Sequence, residues 1–481
     1  MSKVYGRLPA LSRAGSHLPD SHASKLGVAM DLTSSFSDLD DLPDQPRIRV
    51  PPPGPETRAL AQRLQGVESQ NVTYLGQQFP VFWRRAHRAM VEDADGNVYL
   101  DLTGAFGVAV AGHTHPRITA AIREQAGVLP HGMGDIHPPV KKVELLEALA
   151  ALLPWKEDSR ITLANSGSEA VEVALKTALL ATGQPEVVAF QGGYHGLTVG
   201  SLAATAREDF RDPFRPRIYP GVSFVPFGQA PMDEALQALE RTLAERGGQV
   251  GAVIVEPIQG RAGVRVPAEG FLTRVAELTR EAGALLIFDE IFTGFGRTGR
   301  CFALEAEGVV PDLICVGKAL GGGLPLSACA GPRHVMDAWP RSGGEALHTS
   351  TFLGHPLACA SALAFLEVLE EEGLADYARR EGAVFQAELT RELSAIQGVR
   401  EVRGRGFFLG VELEEAGAGV AVMAAALRRG VLVLPAGDRG EVVELSPPLV
   451  LSAEQQMTAR QILVKAIQEV CRPAADPGVR P

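Results

Sequence analysis

The sequence predicts an α/β protein in which a large, mostly parallel sheet is wrapped by helices and accompanied by a smaller α+β domain. Three observations support this fold class. The chain has 481 residues, too many for one ordinary domain, and 46% of them are hydrophobic, enough for a large core. Between about residues 116 and 330, short apolar runs alternate with helical patterns. After about residue 356, two long helical patterns precede several short strands.

The clearest predicted strands are near-continuous apolar runs, as expected for strands buried on both faces of a parallel sheet. They are Glu186–Phe190, Ala252–Val255, Ala284–Phe288 and Leu313–Val316. Upstream, Glu92–Leu100 predicts a hairpin with its turn at Asp95-Gly96. The later predicted elements are the strands Val399–Arg403, Phe407–Glu412, Val431–Leu434 and Val442–Leu445, and a final helix at about 453–470.

These elements divide the chain into four predicted segments. Residues 1–57 are rich in Ser, Pro and Asp and lack periodicity, which predicts a mobile N-terminal arm. Residues 58–115 are assigned to the N-terminal part of the small domain, and residues 116–355 to the large domain. Residues 356–475 then complete the small domain from its C-terminal side.

Composition excludes several classes of protein. A formal net charge of −11 and a pI of about 5.6 disfavour a nucleic-acid partner. The five cysteines are scattered without a Cys-x-x-Cys pair, so neither a zinc site nor a disulfide framework is predicted. No apolar run approaches the ~18 residues of a membrane span, and the N-terminus lacks the apolar core of a signal peptide. We therefore expect a cytoplasmic protein without a metal or a membrane partner.

Lys318 is the first candidate for chemistry. It follows the apolar run Leu313–Val316 and Gly317, and a glycine triplet comes shortly after it. Such a lysine places its amine at the open end of a sheet, where α/β proteins build their sites. A partly desolvated amine can lose its proton and form a Schiff base with an aldehyde. Taken alone, Lys318 is better explained as a surface lysine in a turn. Its interpretation therefore depends on the other motifs of the sequence.

A predicted helix start supplies a candidate phosphate site. Ser166 and Glu169 have the spacing of a capping box. The residues on one apolar face of the following helix are Val171, Ala174, Leu175, Ala178 and Leu179. A helix N-terminus that presents Gly167 and Ser168 offers free amides, a favourable dipole and a hydroxyl to a phosphate. In isolation, the same pattern is an ordinary helix start.

Two further strand ends carry an acid and an aromatic ring. Asp289 follows the strand Ala284–Phe288, and a carboxylate there can hold a cationic ring nitrogen. Tyr194 lies in a glycine-rich loop after Glu186–Phe190, where it can lie over a flat ligand. An amine, a phosphate site, an acid and a stacking ring are what pyridoxal phosphate needs. The acid keeps the pyridine protonated, so that the ring withdraws electrons when the substrate Cα loses a proton.

At this point the sequence resembles the class III, or omega-type, aminotransferases over roughly residues 60 to 470. The run Asp289–Gly299 is similar to the family's strand–turn signature, and Lys318 follows Asp289 by 29 positions, as in the family. The segment Glu256–Gly260 also stands in the family's order. The resemblance implies fold type I, similar to aspartate aminotransferase, with pyridoxal 5'-phosphate as the cofactor. It further implies transfer of an amino group from an amino acid or ω-amine to a 2-oxo acid, with 2-oxoglutarate as the expected acceptor.

The resemblance also implies individual roles. Lys318 and Asp289 are the expected catalytic residues, and they also bind the cofactor. The other cofactor-binding residues implied are Gly167, Ser168, Tyr194 and Thr351. Thr351 resembles a threonine that reaches the cofactor phosphate of the partner subunit, which implies a homodimer with shared active sites and leaves a dimer of dimers open.

For the substrate, Arg403 resembles the arginine that binds the carboxylate of the amino acid or oxo acid. Its planar fork suits bidentate recognition of a carboxylate. Phe106 stands where relatives carry an aromatic in contact with the substrate, although core packing explains it equally well. The histidines of Gly112–Pro116 are interpreted as structural rather than as metal ligands.

Two positions depart from the family pattern. Many members have a glutamate where this chain has Arg261, and that glutamate can mask the carboxylate-binding arginine. Arg261 cannot pair with Arg403, so it either points away or adds a second anion-binding group. Phe292 stands where relatives often place Gln or Val beside the cofactor ring. It gives apolar contact but no hydrogen bond, which makes the site drier.

Other classes are less well supported. Gly317-Lys318 invites a phosphate-loop interpretation, but the loop requires a glycine at the position of Asp312 and Ser or Thr at that of Ala319. No Gly-x-Gly-x-x-Gly opens a βαβ unit near the start, which disfavours a nicotinamide enzyme. An amino-acid racemase or epimerase on the same fold remains the alternative, and a decarboxylase is a weaker one. A non-catalytic homologue would be expected to lack Lys318 or Asp289.

Overall fold

The computed structural model describes residues 42–76, 78–229 and 231–471. In this part of the chain the strands are β1 (Trp83–His87), β2 (Met90–Asp93), β3 (Val98–Asp101), β4 (Ser159–Ala164), β5 (Glu186–Phe190), β6 (Val222–Val225), β7 (Val250–Val255), β8 (Leu285–Asp289), β9 (Leu313–Val316), β10 (Ser327–Pro332), β11 (Val399–Arg405), β12 (Phe408–Leu413), β13 (Val431–Leu432), β14 (Leu434–Ala436) and β15 (Val442–Leu445). The helices are α1 (Pro55–Gln65), α2 (Gly104–Gly107), α3 (Pro116–Val128), α4 (Val140–Leu152), α5 (Gly167–Thr182), α6 (Val199–Ala204), α7 (Glu208–Arg211), α8 (Asp233–Glu245), α9 (Phe271–Glu281), α10 (Arg333–Met336), α11 (Pro356–Glu371), α12 (Leu374–Leu393), α13 (Ala418–Leu427) and α14 (Ala453–Val470).

The largest sheet among the described residues has seven strands in the order β4-β10-β9-β8-β7-β5-β6. The strands from β9 to β6 are parallel, whereas β10 runs antiparallel to both β4 and β9. Every residue of β7 is buried, as expected for a strand covered by helices on both faces. The mostly parallel sheet confirms the predicted α/β fold class.

The apolar runs of the sequence correspond closely to four strands of this sheet. The strands β5 and β9 have the predicted limits, and β7 and β8 differ from the prediction by one or two residues at an end. The helix α5 buries three of the five residues of its predicted apolar face, while Leu175 is partly buried and Leu179 is 47% exposed. The strands β4, β6 and β10 were not placed by the sequence analysis.

Two four-stranded sheets lie outside the large one in the described chain, in the orders β1-β2-β3-β13 and β11-β12-β15-β14. The hairpin predicted around Asp95-Gly96 is confirmed as β2 and β3. The predicted strand Val431–Leu434 is divided between the two sheets, because β13 pairs with β3 and β14 pairs with β15. The final helix α14 has the predicted bounds and begins with a capping box formed by Ser452 and Gln455.

The predicted arm is described only from residue 42 onward, and residues 1–41 lie outside the described residues. The backbone of Arg47 pairs with that of Val98 in β3, and the Asp95 carboxylate accepts hydrogen bonds from the amides of Glu56 and Thr57. The helix α1 begins at Pro55, so the predicted boundary at residue 57 falls inside a helix. The division at residues 115 and 355 stays a prediction.

The topology positions the candidate groups. Tyr194, Asp289 and Lys318 come at or just after the carboxyl ends of β5, β8 and β9, which are parallel strands of one sheet. Such ends lie along the same sheet edge, where α/β proteins bind ligands. Among the described residues, no helix combines the length and apolarity that a membrane crossing requires.

Candidate active site

Lys318 lies in a short 3-10 turn after β9, and its Nζ is 4.3 Å from the centre of the Phe292 ring. Its φ of 44° is in the left-handed region, which costs a residue with a side chain about 1 kcal/mol. Burial lowers the pKa of the Lys318 amine, although the negative charges of Asp289 and Glu256 oppose this. The neutral amine, which burial favours, is the form that attacks an aldehyde.

Asp289 ends β8 and is 4% exposed. Its Oδ2 is 2.8 Å from His195 Nδ1, and its Oδ1 accepts a hydrogen bond from the Ile291 amide at 3.1 Å. Burial disfavours a charged imidazole, but the hydrogen bond and the charge of Asp289 outweigh burial and raise the pKa of His195. A protonated His195 therefore places a positive charge beside the carboxylate. No role was predicted for His195, although it follows Tyr194 directly.

The start of α5 has the geometry of an anion site. Ser166 is the N-cap, and its Oγ accepts a hydrogen bond from the Glu169 amide at 3.3 Å. The second hydrogen bond of the predicted capping box is not formed, because the Glu169 carboxylate accepts from the Asn165 amide instead of the Ser166 amide. The amides of Gly167 and Ser168 stand in the first turn, where no intrahelical carbonyl is available to them. They are free to bind a phosphate.

The loop after β5 packs directly on this helix start. Ser168 Oγ accepts a hydrogen bond from the Leu197 amide at 3.2 Å. Gly196 has a φ of 119°, and a Cβ at this position would lie 2.1 Å from Ser168 Oγ. Only glycine permits this approach, so the loop that carries Tyr194 is fixed against the phosphate site.

Glu256 joins two loops of the site. Its Oε1 accepts from the Tyr194 amide at 2.8 Å, and its Oε2 accepts from the Gly260 amide at 3.1 Å. Burial raises the pKa of Glu256 to about 7, against the lowering effect of His195. Burial also raises the pKa of Tyr194, whose ring contacts Phe210 edge-on. Glu256 was predicted only as part of the motif Glu256–Gly260, without a role of its own.

Phe292 forms an apolar wall under Lys318. Its ring stacks on Phe408 with the centroids 4.5 Å apart and the planes at 15°. Gly107 has a φ of 77°, and a Cβ there would lie 2.7 Å from Phe292 Cε1. The neighbouring Phe106 is 60% exposed, so core packing does not explain it. Its contact with a substrate stays a prediction.

The Arg403 guanidinium is bonded to other groups of the protein in this structure, and its contact with a substrate carboxylate stays a prediction. Its Nε and Nη2 donate to the carbonyl of Gly263, and Nε also donates to that of Val264. Its Nη1 donates to Glu401 and Glu412, and the side chain is 10% exposed. These bonds join β11 to β12 and to the loop after β7. The geometry favours a structural role.

Arg261 and Glu444 are two further charged residues whose charges affect the pKa of the Lys318 amine. The Arg261 carbonyl accepts from the Gly437 amide at 3.0 Å, which fixes its backbone. Glu444 lies in β15, is 2% exposed, and is within Coulombic range of both Arg261 and Lys318. Glu444 was not predicted as a site residue. The available signal was an acid within an apolar strand, which is costly to bury without a partner.

Thr351 is exposed in the segment between β10 and α11. The adjacent Ser350 accepts a hydrogen bond from Asn165 Nδ2 at 2.9 Å, so this segment lies beside the start of α5. The two histidines near the N-terminal part of the site bond to acids: His113 with Asp101 and His115 with Glu372. The described residues contain no cluster of His, Cys, Asp or Glu suited to a metal ion.

The donor set fits pyridoxal phosphate. Asp289 and Cys315 are paired across β8 and β9, so the carboxylate and the Lys318 amine lie at the same sheet edge. Gly167 packs on Ile291, which follows the acid pair, since a Cβ at 167 would be 2.8 Å from Ile291 Cδ1. The phosphate amides, the acid and the amine are thus brought to the same edge of the sheet.

Comparisons with known proteins agree with this geometry. Residues 73–467 match the model of the family described as aminotransferase class-III. The acetylornithine aminotransferase of Methanopyrus kandleri is 39% identical over 81% of this chain and 95% of its own. The 4-aminobutyrate aminotransferase of Mycobacterium leprae is 36% identical over 86% and 96%. The solved ornithine aminotransferase of Toxoplasma gondii, described with partial occupancy of PLP at its active site, has a TM-score of 0.77. It is 33% identical and covers 86% of this chain and 94% of that one.

Proposed function

The chain belongs to the class III aminotransferase family and is a pyridoxal-phosphate-dependent aminotransferase, and we propose that it moves an amino group from an amino acid or ω-amine to 2-oxoglutarate. The observation that carries the proposal is the buried Lys318 amine beside Asp289 at the edge of the large sheet. The acetylornithine and 4-aminobutyrate enzymes reported above are named for donors that carry both an amine and a carboxylate. This supports a donor of the same class.

Four groups of this chain would hold the cofactor. The Lys318 amine would bind its aldehyde, and Asp289 would bind the ring nitrogen by a charge-assisted hydrogen bond. The Tyr194 ring would cover one face, while the amides of Gly167 and Ser168 would bind the phosphate. When bound, pyridoxal phosphate supplies the electron sink for the charge that develops at the substrate Cα.

The residues around it have distinct tasks. In the proposed mechanism, Lys318 Nζ takes the proton from the substrate carbon that bears the amine, and later returns a proton as the general acid. His195 stabilises the Asp289 carboxylate through the 2.8 Å hydrogen bond. Phe292 and Phe408 exclude water from one side of the amine, which keeps the amine's pKa low.

We further propose a homodimer in which Thr351 of a second copy contributes to the phosphate site. The exposure of Thr351 and the position of its segment beside the start of α5 support this arrangement. The five cysteines are all free thiols, which supports the cytoplasm as the compartment.

The function is tested by incubating the pure holoenzyme with a panel of amino acids and ω-amines, with and without 2-oxoglutarate. We expect glutamate and the matching oxo product to form together in equal amounts. Inversion of an amino acid without any oxo product would instead establish a racemase. No change in the visible absorbance of the cofactor with any amine would contradict an aminotransferase altogether.

A further inference from the structure

A second cleft, of about 480 Å³, lies between the loop after β8 and the C-terminal elements α12 and β11. One wall consists of Glu269 and residues 298–300 and 306–307, and the other consists of residues from α12 and from the end of β11. None of the residues assigned to the cofactor lines this cleft. Sites for small molecules have volumes of about 300–1,000 Å³, so the cleft is large enough for a ligand.

Close backbone contacts fix the two walls of the cleft relative to each other. Gly406 has a φ of 58°, and a Cβ at this position would lie 2.6 Å from the carbonyl carbon of Thr298. Gly299 has a φ of 88°, and a Cβ there would lie 2.8 Å from the Cα of Arg379. The loop, α12 and the end of β11 thus meet without intervening side chains, and the fold itself forms the cleft.

Three arginines from three different elements line the cleft: Arg300 from the loop, Arg379 from α12 and Arg405 from β11. Neither Arg300 nor Arg405 forms a hydrogen bond or ion pair with any other described residue. Arg379 pairs with Asp376 of its own helix at 2.8 Å, and both side chains are largely exposed. Exposed pairs of this kind contribute at most about 1 kcal/mol, so Arg379 can exchange Asp376 for a ligand.

The two acids that line the cleft do not neutralise these arginines. Glu307 Oε2 accepts hydrogen bonds from the amide and the hydroxyl of Thr273, at 3.1 and 3.2 Å, which commits this carboxylate to the start of α9. Glu269 is exposed, and within the described chain neither acid forms an ion pair with an arginine of the cleft. The lining therefore keeps an excess of one positive charge and three available guanidinium groups.

An ordinary solvated surface accounts for a single exposed arginine such as Arg300. It does not account for Arg405, which is partly buried without a counter-charge among the described residues. A partly desolvated charge without a partner is unfavourable, and two more cations on the same cavity add repulsion. An anion in the cleft would remove both costs at once.

We propose that this cleft binds a small phosphorylated molecule. The guanidinium groups of Arg300, Arg379 and Arg405 bind its phosphoryl oxygens, and Glu269 and Gln386 accept hydrogen bonds from its hydroxyl groups. Three planar forks from separate walls suit the three terminal oxygens of a phosphoryl group better than the two of a carboxylate. The site lies apart from the cofactor residues, and the inference does not depend on the proposed aminotransferase activity.

The test is calorimetric titration of the full-length holoenzyme, freed of excess cofactor, with glycerol 3-phosphate, inorganic phosphate, glycerol and citrate. We expect saturable binding of glycerol 3-phosphate with a Kd of about 1 mM or lower, and no binding of glycerol. Added salt should weaken the binding, because exposed charges are screened. The visible absorbance of the cofactor should stay unchanged during the titration, since the ligand does not enter the cofactor site.

Arg300→Gln and Arg405→Gln should each raise the Kd of glycerol 3-phosphate about 10-fold, the effect of losing one charge-assisted bond. Neither residue has a protein partner to lose, so both variants should fold, which urea unfolding verifies. Arg405→Lys keeps the charge without the fork and should bind with an intermediate Kd. Arg241→Gln is the matched control: Arg241 is exposed on α8, outside the cleft, and its replacement should leave the Kd unchanged.

Three results would overturn the inference: no saturable binding of either phosphate compound up to about 10 mM, an unchanged Kd in both glutamine variants, or loss of the cofactor's absorbance as the ligand binds. Citrate that binds as tightly as glycerol 3-phosphate would overturn the assignment to a phosphoryl group. Equal affinities for inorganic phosphate and glycerol 3-phosphate would support the site and identify the free ion as its ligand.

Discussion

His195 Nδ1 and Asp289 Oδ2 lie 2.8 Å apart in the buried floor of the site, on loops that follow two parallel strands. The second oxygen of Asp289 accepts only the Ile291 amide among the described residues, so it can still face a ring nitrogen. His195 thus stabilises the Asp289 carboxylate through Oδ2 and leaves Oδ1 accessible to a ligand. This relationship gives His195 a positioning role without contact to the substrate.

His195→Ala should lower kcat by about 10- to 100-fold, because Asp289 loses a charge-assisted hydrogen bond worth about 1.5–3 kcal/mol. The KM of the amino donor should change little, since His195 does not reach the substrate. Steady-state kinetics of the variant measure both. In an Asp289→Ala background the same replacement should have almost no further effect on kcat; an undiminished additional loss would show that His195 acts independently of the acid.

Glu256 should make the protein less stable as the pH rises from about 4.5 to 7. Burial raises its pKa to about 7, so the folded state binds a proton that the unfolded state has already released. The stabilisation lost over this interval is about 3 kcal/mol. Glu290 has the same raised pKa of about 7 and adds a similar slope. Glu256→Gln should therefore remove about half of the slope, measured by urea unfolding at several pH values.

The exposed Glu245 provides the control for that experiment, because Glu245→Gln removes a carboxylate without changing a buried group. It should leave the pH dependence of the unfolding free energy unchanged. An identical slope in Glu256→Gln and the unmodified protein would contradict the raised pKa of Glu256.

Gly107→Ala should disturb the apolar wall of the site. A Cβ there would lie 2.7 Å from Phe292, and the φ of 77° already disfavours a side chain. Gly283→Ala is matched, since its φ is 71° and nothing lies within 4 Å of the added Cβ. Both should lose about 1 kcal/mol of unfolding free energy, but only Gly107→Ala should also lower kcat. Equal kinetics for the two variants would show that Phe292 does not shape the site.

The sequence was most informative where one property dominates a segment. The strand β9 is a run of buried apolar residues and β5 is apolar after Glu186, and both were predicted at their limits. In contrast, β4 contains Ser, Arg and Thr, and β10 consists mainly of small residues. Tyr194, Asp289 and Lys318 could be placed along one sheet edge from the sequence, because each stands where a parallel strand ends and such ends meet at one edge.

The charged groups of the substrate pocket were harder to predict, because their partners are distant in sequence. Arg403 was given a ligand role by resemblance, but the acids and carbonyls that bind it lie on β11, on β12 and in a loop 140 residues away. Glu444 was missed for the same reason, since the positive charges that act on it come from Arg261, Lys318 and Arg297, all distant in the sequence. Pairing across strands depends on the register, which composition alone does not determine.

The most direct test of the account is to identify the lysine that binds the cofactor. The holoenzyme is reduced with borohydride, digested, and analysed by mass spectrometry for a peptide that carries the reduced cofactor. We predict one modified site, Lys318, and no modification in Lys318→Ala prepared in parallel. A cofactor attached to a different lysine, or no attached cofactor in a preparation that is active, would contradict the central role of Lys318.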